Sequence, residues 1–505
     1  MSVTRNAGAA AVAASVLAVT AAAMPAQAQT LRIASSDFSP SRGVPVSVSR
    51  QSLYAFEAYM DPITTVDGKG VANPRLALSW AVQDDRKVWR FQLRPNVTFH
   101  NGRPWNADAA VAAVEYLLSD EGKRLMASVG ANTRSVAGAR KVDDMTLEIL
   151  THAPDPILPN SISVLYIMDM KAFAEMGGAG PFGMKPVGTG PFQVLNWDDQ
   201  QIETRKYDRS WRKAPYDAIT FLNLPEMPAR SQALISGQVD IALTINKESR
   251  PAVERSGGKM YAEYAPSVNA LILNHPKHPA FKDKRVRQAF NHALDKRIVQ
   301  ELYGEDAKAG SQPAAHSVRG FQPDLKPYSF DVAKGKALMA EAGYANGFAI
   351  NGEVQSGSGT VEIYEFAAQS LQKIGVTLSL NVITTADIIA KINGSRPWEG
   401  VVFGMNFGSA PIGDVMRPVN SFHSCAQPQK WICYEDMEPL RQMINTEFDS
   451  KKREAGLREL ALRYHEDPPV IYLDETVVYH GHSNKISGFR SENFLISYDD
   501  IKIAK

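Results

Sequence analysis

Residues 89–105 read W-R-F-Q-L-R-P-N-V-T-F-H-N-G-R-P-W and carry the clearest pattern in the chain. Trp89, Phe91 and Leu93 alternate with polar residues, which is typical of a strand with one buried face. Pro-Asn at 95–96 predicts a turn, and Asn106 predicts the N-cap of a helix that continues to residue 118. The apolar face of this helix is made by Val111, Val114, Leu117 and Leu118.

Strand and helix patterns continue on both sides of this stretch. Before residue 266 we predict strands at 31–34, 145–150 and 239–245, a hairpin over 188–206 and a helix at 229–235. After it, strands at 269–274, 347–352, 376–383, 401–407 and 469–479 alternate with helices at 283–303, 331–343, 362–373, 434–447 and 451–465. This alternation predicts an α/β architecture.

Length and charge limit the possible classes of protein. A chain of 505 residues is long enough for two to four lobes at roughly 150 residues each, and 44% hydrophobic residues provide a core. Lys+Arg number 55 and Asp+Glu number 54. This balance argues against nucleic acid or an anionic membrane surface as the main partner, because both favour a basic excess.

The first 28 residues have the pattern of a secretory signal peptide. Arg5 is their only charge, an Ala/Val-rich run spans 7–23, and Ala26-Gln27-Ala28 ends the segment. We therefore expect cleavage before Gln29, and the alternative is an N-terminal anchor helix. Because no cysteine precedes Cys425, we expect export to the periplasm without a lipid anchor.

The two cysteines of the chain, Cys425 and Cys433, are eight residues apart. An isolated close pair in an oxidising compartment predicts a disulfide. A metal site is the alternative, but this spacing does not suit metal ligands and the chain has no second cysteine pair. We expect no metal and no cofactor.

Six short strings resemble one known family in the same order. They are the residues 76–80 with 89–118, V-G-T-G-P-F at 187–192, G-Q-V-D-I at 237–241, R-V-R-Q-A-F-N-H-A-L-D at 285–295, Asp331 with A-E-A-G-Y at 340–344, and the cysteine loop with Trp431-Ile432-Cys433. Together they are similar to the family 5 extracellular solute-binding proteins, the dipeptide, oligopeptide and nickel group that serves ABC importers.

The resemblance implies an α/β, two-lobed periplasmic binding protein of the large three-subdomain, Venus-flytrap type. Residues 29–265 plus 475–505 would form lobe I, residues 266–474 would form lobe II, and the chain would cross between them near 264–266 and 473–476. A monomer of this type would capture a peptide, or a polar non-peptide such as an opine or oligosaccharide, and deliver it to ABC permease subunits in the inner membrane. It would bind solute rather than act as an enzyme.

We expect the ligand site in two loops that face the other lobe at strand ends. Phe38, Tyr54 and Phe407 would supply flat apolar walls, and Asn406 would supply polar contacts. Asp414 lies further along the second loop. Core packing is the alternative role for each aromatic residue.

Two positions depart from the dipeptide-binding members. Ala410 stands where those relatives have an acid for the ligand ammonium, and Gln355 to Thr360 contain no Arg for the ligand carboxylate. Unpaired terminal charges are costly to bury, so we expect simple dipeptides to be poor ligands.

Other functional classes remain open at the level of sequence. The chain has no H-E-x-x-H, G-x-S-x-G or G-x-x-x-x-G-K-[ST] motif, which are the signatures of common hydrolases and of nucleotide binding. A secreted hydrolase with a glycosidase-type carboxylate pair is one alternative. An exported chaperone or sensor on the same fold is the other.

Overall fold

A computed structural model describes residues 1–2, 29–36, 42–47, 49–355, 361–392, 394–426 and 431–504. Apart from its first two residues, the predicted signal peptide lies outside these ranges, so cleavage before Gln29 stays a prediction. Among the described residues, no helix combines the length and the apolar run needed to cross a bilayer.

The strands are named β1 to β21 in chain order. They are β1 (Thr30–Ser35), β2 (Thr64–Val66), β3 (Ala72–Pro74), β4 (Ala77–Val82), β5 (Val88–Leu93), β6 (Val136–Asp143), β7 (Thr146–Thr151), β8 (Phe192–Trp197), β9 (Gln201–Lys206), β10 (Ala218–Asn223), β11 (Ile241–Ile245), β12 (Lys259–Leu273), β13 (Lys308–Ala309), β14 (Phe348–Gln355), β15 (Val376–Ile383), β16 (Val402–Gly408), β17 (Val470–His482), β18 (Ile486–Ser487), β19 (Ser491–Glu492), β20 (Leu495–Ile496) and β21 (Lys502–Ile503).

The α-helices are named in the same way. They are α1 (Arg50–Tyr59), α2 (Ala107–Leu118), α3 (Asp120–Leu125), α4 (Ala127–Asn132), α5 (Leu158–Ser161), α6 (Met170–Glu175), α7 (Ala179–Met184), α8 (Met227–Ile235), α9 (Arg250–Arg255), α10 (Lys284–His292), α11 (Ile298–Tyr303), α12 (Val332–Glu341), α13 (Val361–Gln372), α14 (Thr385–Ile392), α15 (Met416–Phe422), α16 (Glu438–Thr446) and α17 (Ser450–Glu466). Short 3₁₀ turns occupy Ile162–Val164, Lys247–Ser249, His275–Lys277, Pro279–Lys282 and Glu435–Met437.

One large mixed sheet organises the molecule. Its strand order is β15-β14-β16-β12-β17-β11-β1-β10-β9-β8, and β13 adds to β17. We call β11, β1, β10, β9 and β8, with the elements packed on them, the β1 side, and β16, β14 and β15, with theirs, the β16 side. A separate four-stranded sheet has the order β4-β5-β7-β6.

The two long central strands, β12 and β17, link the two sides. Their antiparallel pairing runs from Lys259 to Tyr264, is interrupted, and resumes at Val268. The interruption includes Pro266, which has no N–H to donate to a ladder. It lies at the predicted chain crossings, and the lobe boundaries themselves remain a proposal.

Hydrophobic packing differs between the two sides. The largest cluster packs Phe56, Phe91 and Phe221 with the four-stranded sheet and the C-terminal segment. Two other clusters cover the two faces of the β16 side, one around Phe290 and one around Phe403. The chain therefore builds separate cores on the two sides of its central strands.

The sequence patterns predicted many elements correctly. Trp89, Phe91 and Leu93 are buried in β5, and the side chain of Asn106 caps α2 by accepting a hydrogen bond from the Ala109 backbone N–H. The prediction of one continuous helix over 283–303 is wrong, because α10 ends at His292 and α11 begins at Ile298. The Asp295 carboxylate accepts from the Arg297 N–H in the gap, and this turn competes with helix continuation.

Candidate functional site

A cavity of about 610 Å³ lies between the two sides of the sheet. The β1 side contributes the end of β11 with the turn that follows it, Met227 of α8 and Arg50 of α1. The β16 side contributes residues of α11, β14, α13, α14 and β16, and the central strands contribute Asn269 and residues 476–479. The volume falls within the usual range of small-molecule sites, roughly 300–1,000 Å³.

The β1 wall of the cavity contains a strained residue. Thr244 has a φ of 52°, a left-handed conformation that a β-branched residue rarely adopts. The Arg230 guanidinium donates to the Thr244 carbonyl at 2.7 Å, and the Thr244 N–H donates to His480 Nδ1 at 3.1 Å. These two hydrogen bonds hold Thr244 in its strained conformation at the cavity wall. Strained backbone conformations cluster at functional sites.

A polar network occupies the cavity wall formed by the central strands. Asn406 donates through Nδ2 to the side-chain oxygens of Asn269 and Thr476 at 3.0 and 3.2 Å. Asn269 in turn donates to Asp474 Oδ2 at 3.0 Å. Burial raises the pKa of Asp474 to about 7. The network fixes the orientation of the Asn406 amide beside the cavity.

Two charged residues line the cavity without an ion-pair partner in the described part of the chain. Arg50, on the β1 side, places its guanidinium 4.7 Å from the ring centre of Phe494, and its Nε makes no hydrogen bond there. Glu362, on the β16 side, is exposed in the first turn of α13. Lys247 and Glu248 also line the cavity, but they lie 3.9 Å from each other.

Tyrosines give the cavity its aromatic surface. The Tyr479 hydroxyl donates to the Tyr303 carbonyl at 2.8 Å, whereas the buried Tyr303 hydroxyl has no hydrogen-bond partner among the described residues. Gly404 makes room for Tyr364, because a Cβ at position 404 would lie 2.7 Å from the Tyr364 ring. The unpaired Tyr303 hydroxyl is a potential donor to a ligand.

The predicted ligand-binding residues have different locations. Asn406 lines the cavity. The Tyr54 hydroxyl is buried and donates to Glu263 at 2.6 Å, Phe407 packs against Phe422 and His423, and Asp414 forms a buried ion pair with Arg453. The structure does not bring these three side chains to this cavity, and Phe38 lies outside the described residues.

Strand geometry explains the difference between Asn406 and Phe407. Successive side chains of β16 point to opposite faces, so Asn406 reaches the cavity and Phe407 enters the core. Sequence reasoning missed Arg50, Thr244, Tyr303 and Glu362. Glu362 lies two residues after the 355–360 loop, in which the resemblance implies a ligand-binding residue, and this position is the available signal.

The cysteine pair forms the predicted bond. Cys425 and Cys433 are joined by a disulfide in the structure. Ala410, the position matched to the acid of dipeptide-binding relatives, packs against the large hydrophobic cluster of the β1 side. Among the described residues, no group of three or more His, Cys, Asp or Glu side chains is arranged to hold a metal ion.

Sequence comparisons place the chain among solute-binding proteins. Residues 72–427 match the family model "Bacterial extracellular solute-binding proteins, family 5 Middle". The chain is 24% identical over 448 residues to heme-binding protein A of Haemophilus influenzae, with 83% of this chain and 79% of the relative covered. It is also 24% identical over 454 residues to the dipeptide-binding protein of Escherichia coli, with 82% and 83% covered.

Solved structures share the fold. CtaP, an ABC transporter substrate binding protein from Listeria monocytogenes, matches with a TM-score of 0.82 at 20% identity, covering 95% of this chain and all of that one. DppA from Helicobacter pylori in complex with the peptide STSA matches with a TM-score of 0.77 at 22% identity, covering 94% and 98%. The predicted two-lobed binding-protein fold is confirmed.

Proposed function

The chain belongs to family 5 of the bacterial extracellular solute-binding proteins, and from this premise we propose that it captures a peptide or peptide-like solute for an ABC importer. The solute binds in the 610 Å³ cavity, and the loaded protein delivers it to a membrane permease. We further propose that this happens in the periplasm and that the chain performs no catalysis. Relatives that bind dipeptides and a structure with a bound peptide support this assignment.

One observation carries the proposal of a peptide-like ligand. Arg50 and Glu362 line the cavity from its two sides, and neither forms an ion pair in the described part of the chain. A solute with one carboxylate and one ammonium group supplies a partner to each. Arg50 and Glu362 would then take the roles for which residues 355–360 have no Arg and position 410 has no acid, so the reason to expect weak dipeptide binding no longer applies. Charge-assisted hydrogen bonds contribute about 1.5–3 kcal/mol, so both pairs favour a zwitterion over an uncharged solute.

The same arrangement explains why binding and closure are coupled. We propose that residues 29–265 plus 475–505 form lobe I and residues 266–474 form lobe II, joined where β12 and β17 cross. Arg50 then belongs to lobe I and Glu362 to lobe II. A ligand contacts both residues only when the lobes are together, so it shifts the population to the closed form.

The test pairs each residue with the ligand group it binds. Calorimetric titration of di-, tri- and tetrapeptides, each free, N-acetylated or C-amidated, is compared for the wild type, Arg50→Gln and Glu362→Gln. We expect Arg50→Gln to weaken binding of free peptides at least about tenfold and to leave amidated peptides unaffected. Glu362→Gln is expected to weaken binding of free peptides by a similar factor and to leave binding of N-acetylated peptides unaffected, because these lack the ammonium group.

The matched control is Glu365→Gln, an exposed acid on α13 outside the cavity. It is expected to bind like the wild type. Equal losses for free and capped peptides in both cavity variants would contradict the assigned pairing. Turnover of a peptide or glycan by the purified protein, measured by mass spectrometry, would contradict the binding-protein function itself and favour a hydrolase.

A further inference from the structure

A second cavity, of about 390 Å³, lies apart from the proposed ligand site. Its β1-side wall is made by residues of the ranges 131–135 and 152–161, and its β16-side wall by residues of the ranges 412–424 and 441–453. The two cavities have no lining residue in common among the described residues. We call this second space the arginine cavity, because four arginines line it: Arg134, Arg417, Arg441 and Arg453.

Two of these arginines already have carboxylate partners. Arg453 forms a bidentate ion pair with Asp414 at 2.7 and 3.1 Å. Arg441 pairs with Glu438 at 2.5 Å, although the buried Nε of Arg441 has no hydrogen-bond partner in the described part of the chain. These pairs neutralise two of the four arginines that line the arginine cavity.

Arg417 is different, because its hydrogen-bond acceptors are all neutral. It donates to the Asn132 side-chain oxygen and to the Gly408 carbonyl, and it forms no ion pair with a described carboxylate. Burial and the positive charge of Arg134 lower the pKa of Arg417 to about 10. The Arg417 guanidinium is thus buried within the electrostatic reach of a like charge, an arrangement that is unfavourable without an anion.

Arg134 faces the cavity from the β1 side. It is exposed, and its Nε donates only to the Ala131 carbonyl, at 3.2 Å. Among the described lining residues the one acid is Asp155, whose carboxylate accepts from the Ser135 hydroxyl at 2.6 Å and the Ile157 N–H at 3.0 Å. Asp155 makes no ion pair with either guanidinium, so Arg134 and Arg417 keep their charge available.

We propose that the arginine cavity binds a small anion with a carboxylate or phosphate group, held between Arg134 and Arg417. Planar guanidinium groups donate paired hydrogen bonds to both kinds of oxyanion. The anion removes the repulsion between the two arginines and touches both walls of the cavity. It therefore adds a link between the two sides of the sheet that does not involve the solute site.

The test uses inorganic phosphate and succinate as probes at constant ionic strength, set with sodium chloride so that screening stays equal. Binding to the full protein is measured by calorimetry and by the shift in Tm. We expect both Arg134→Gln and Arg417→Gln to weaken binding of the preferred probe at least about tenfold. Preference for phosphate identifies a phosphate ligand, and preference for succinate identifies a carboxylate.

Two variants serve as controls. Arg205→Gln removes an exposed arginine whose guanidinium donates to the Gln193 side chain outside the cavity, and it is expected to bind like the wild type. Arg255→Gln removes another exposed arginine, on α9 and outside both cavities, and it is also expected to bind like the wild type. Because Arg134 is exposed, its variant should fold even if that of Arg417 does not. Wild-type affinity in Arg134→Gln, or no binding of either probe at millimolar concentration, would overturn the proposal.

Discussion

Asp474 is a buried acid on β17 beside the candidate solute site. Its Oδ2 accepts from Asn269, whereas its buried Oδ1 has no hydrogen-bond partner among the described residues. Lys296 and Glu475 are the charged residues that influence it, and the Lys296 ammonium donates to the Gly310 carbonyl at 2.7 Å. Burial dominates over these effects and raises the pKa of Asp474 to about 7.

This shift predicts a pH-dependent stability. An unfolded Asp has a pKa of about 3.9, so between pH 4 and 7 the folded protein binds a proton that the unfolded chain has released. The stabilising contribution of neutral Asp474 to the free energy of unfolding is therefore fully present below pH 4 and is lost as the pH rises to 7. Asp474→Asn, which stays neutral, is expected to gain up to about 4 kcal/mol relative to the wild type from pH 4 to 7.

Urea unfolding of both proteins across this range measures the difference. Asp84→Asn, which changes an exposed acid, is the control and should follow the wild type at every pH. Wild-type and Asp474→Asn curves that run parallel from pH 4 to 7 would show that Asp474 ionises at its ordinary pKa.

At the residue scale, sequence patterns indicate which face of a strand or helix is buried, but they do not indicate which polar and charged side chains contact each other. The loop at the end of β16 was predicted, and Asn406 does line the cavity. Arg50 and Glu362 could not be singled out among 55 basic and 54 acidic residues, because only the tertiary structure shows which charges lack a partner. Tyr54 and Asp414 are engaged by Glu263 and Arg453, residues far away in sequence.

At the scale of elements, sequence signals predicted those features of helices and strands that depend only on residues close in sequence. The cap of α2 and the alternation of β5 require only neighbours in sequence. The first half of β12 was missed because Pro266 reads as a break, although β17 pairs with the strand on both sides of it. Long-range pairing therefore overrides a local signal at the centre of the large sheet.

The disulfide between Cys425 and Cys433 belongs to this scale, because it closes the segment between α15 and α16. Trp431 and Ile432, inside the loop, are buried in one hydrophobic cluster of the β16 side. A loop this short restricts the unfolded chain modestly, so we expect the double variant Cys425→Ser/Cys433→Ser to lose about 2–3 kcal/mol in free energy of unfolding.

Denaturant unfolding with and without a thiol reductant checks this prediction. The reductant is expected to destabilise the wild type by the same amount and to leave the double variant unchanged. Two free thiols in the denatured, unreduced wild type would contradict the presence of the bond.

At the scale of the whole molecule, a second contact joins the two sides away from the central strands. Ile412, which follows β16, is buried in the large cluster of the β1 side. Asn160 donates through Nδ2 to the carbonyls of Gly70 and Ile412 at 2.9 and 2.8 Å. Asn493 bridges the carbonyls of Val66 and Pro411 in the same way. In the proposed division, Ile412 and Pro411 lie in lobe II and the other four residues lie in lobe I. Opening of the lobes therefore breaks the bonds of Asn160 to Ile412 and of Asn493 to Pro411.

We call the hydrogen bonds of Asn160 to Ile412 and of Asn493 to Pro411 the latch. We expect that weakening the latch weakens closure without altering the solute site. Asn160→Ala removes one hydrogen bond between the lobes, to the Ile412 carbonyl, which is worth about 1 kcal/mol. It also removes one bond within lobe I, to the Gly70 carbonyl. Because apparent affinity scales with the closed fraction and only the bond to Ile412 depends on closure, we expect solute binding to weaken by up to about 5-fold. We also expect small-angle scattering to give a larger radius of gyration for the variant than for the wild type when neither carries solute.

Asn291→Ala is the matched control for the latch. Asn291 is also buried and also bridges two carbonyls, those of Arg287 and Val470, but both lie within the proposed lobe II. Its loss should lower stability while leaving solute affinity and the radius of gyration at wild-type values. If Asn160→Ala and Asn291→Ala change stability alone, the Asn160 contacts do not restrain opening, and closure depends on the solute and on the crossing of β12 and β17.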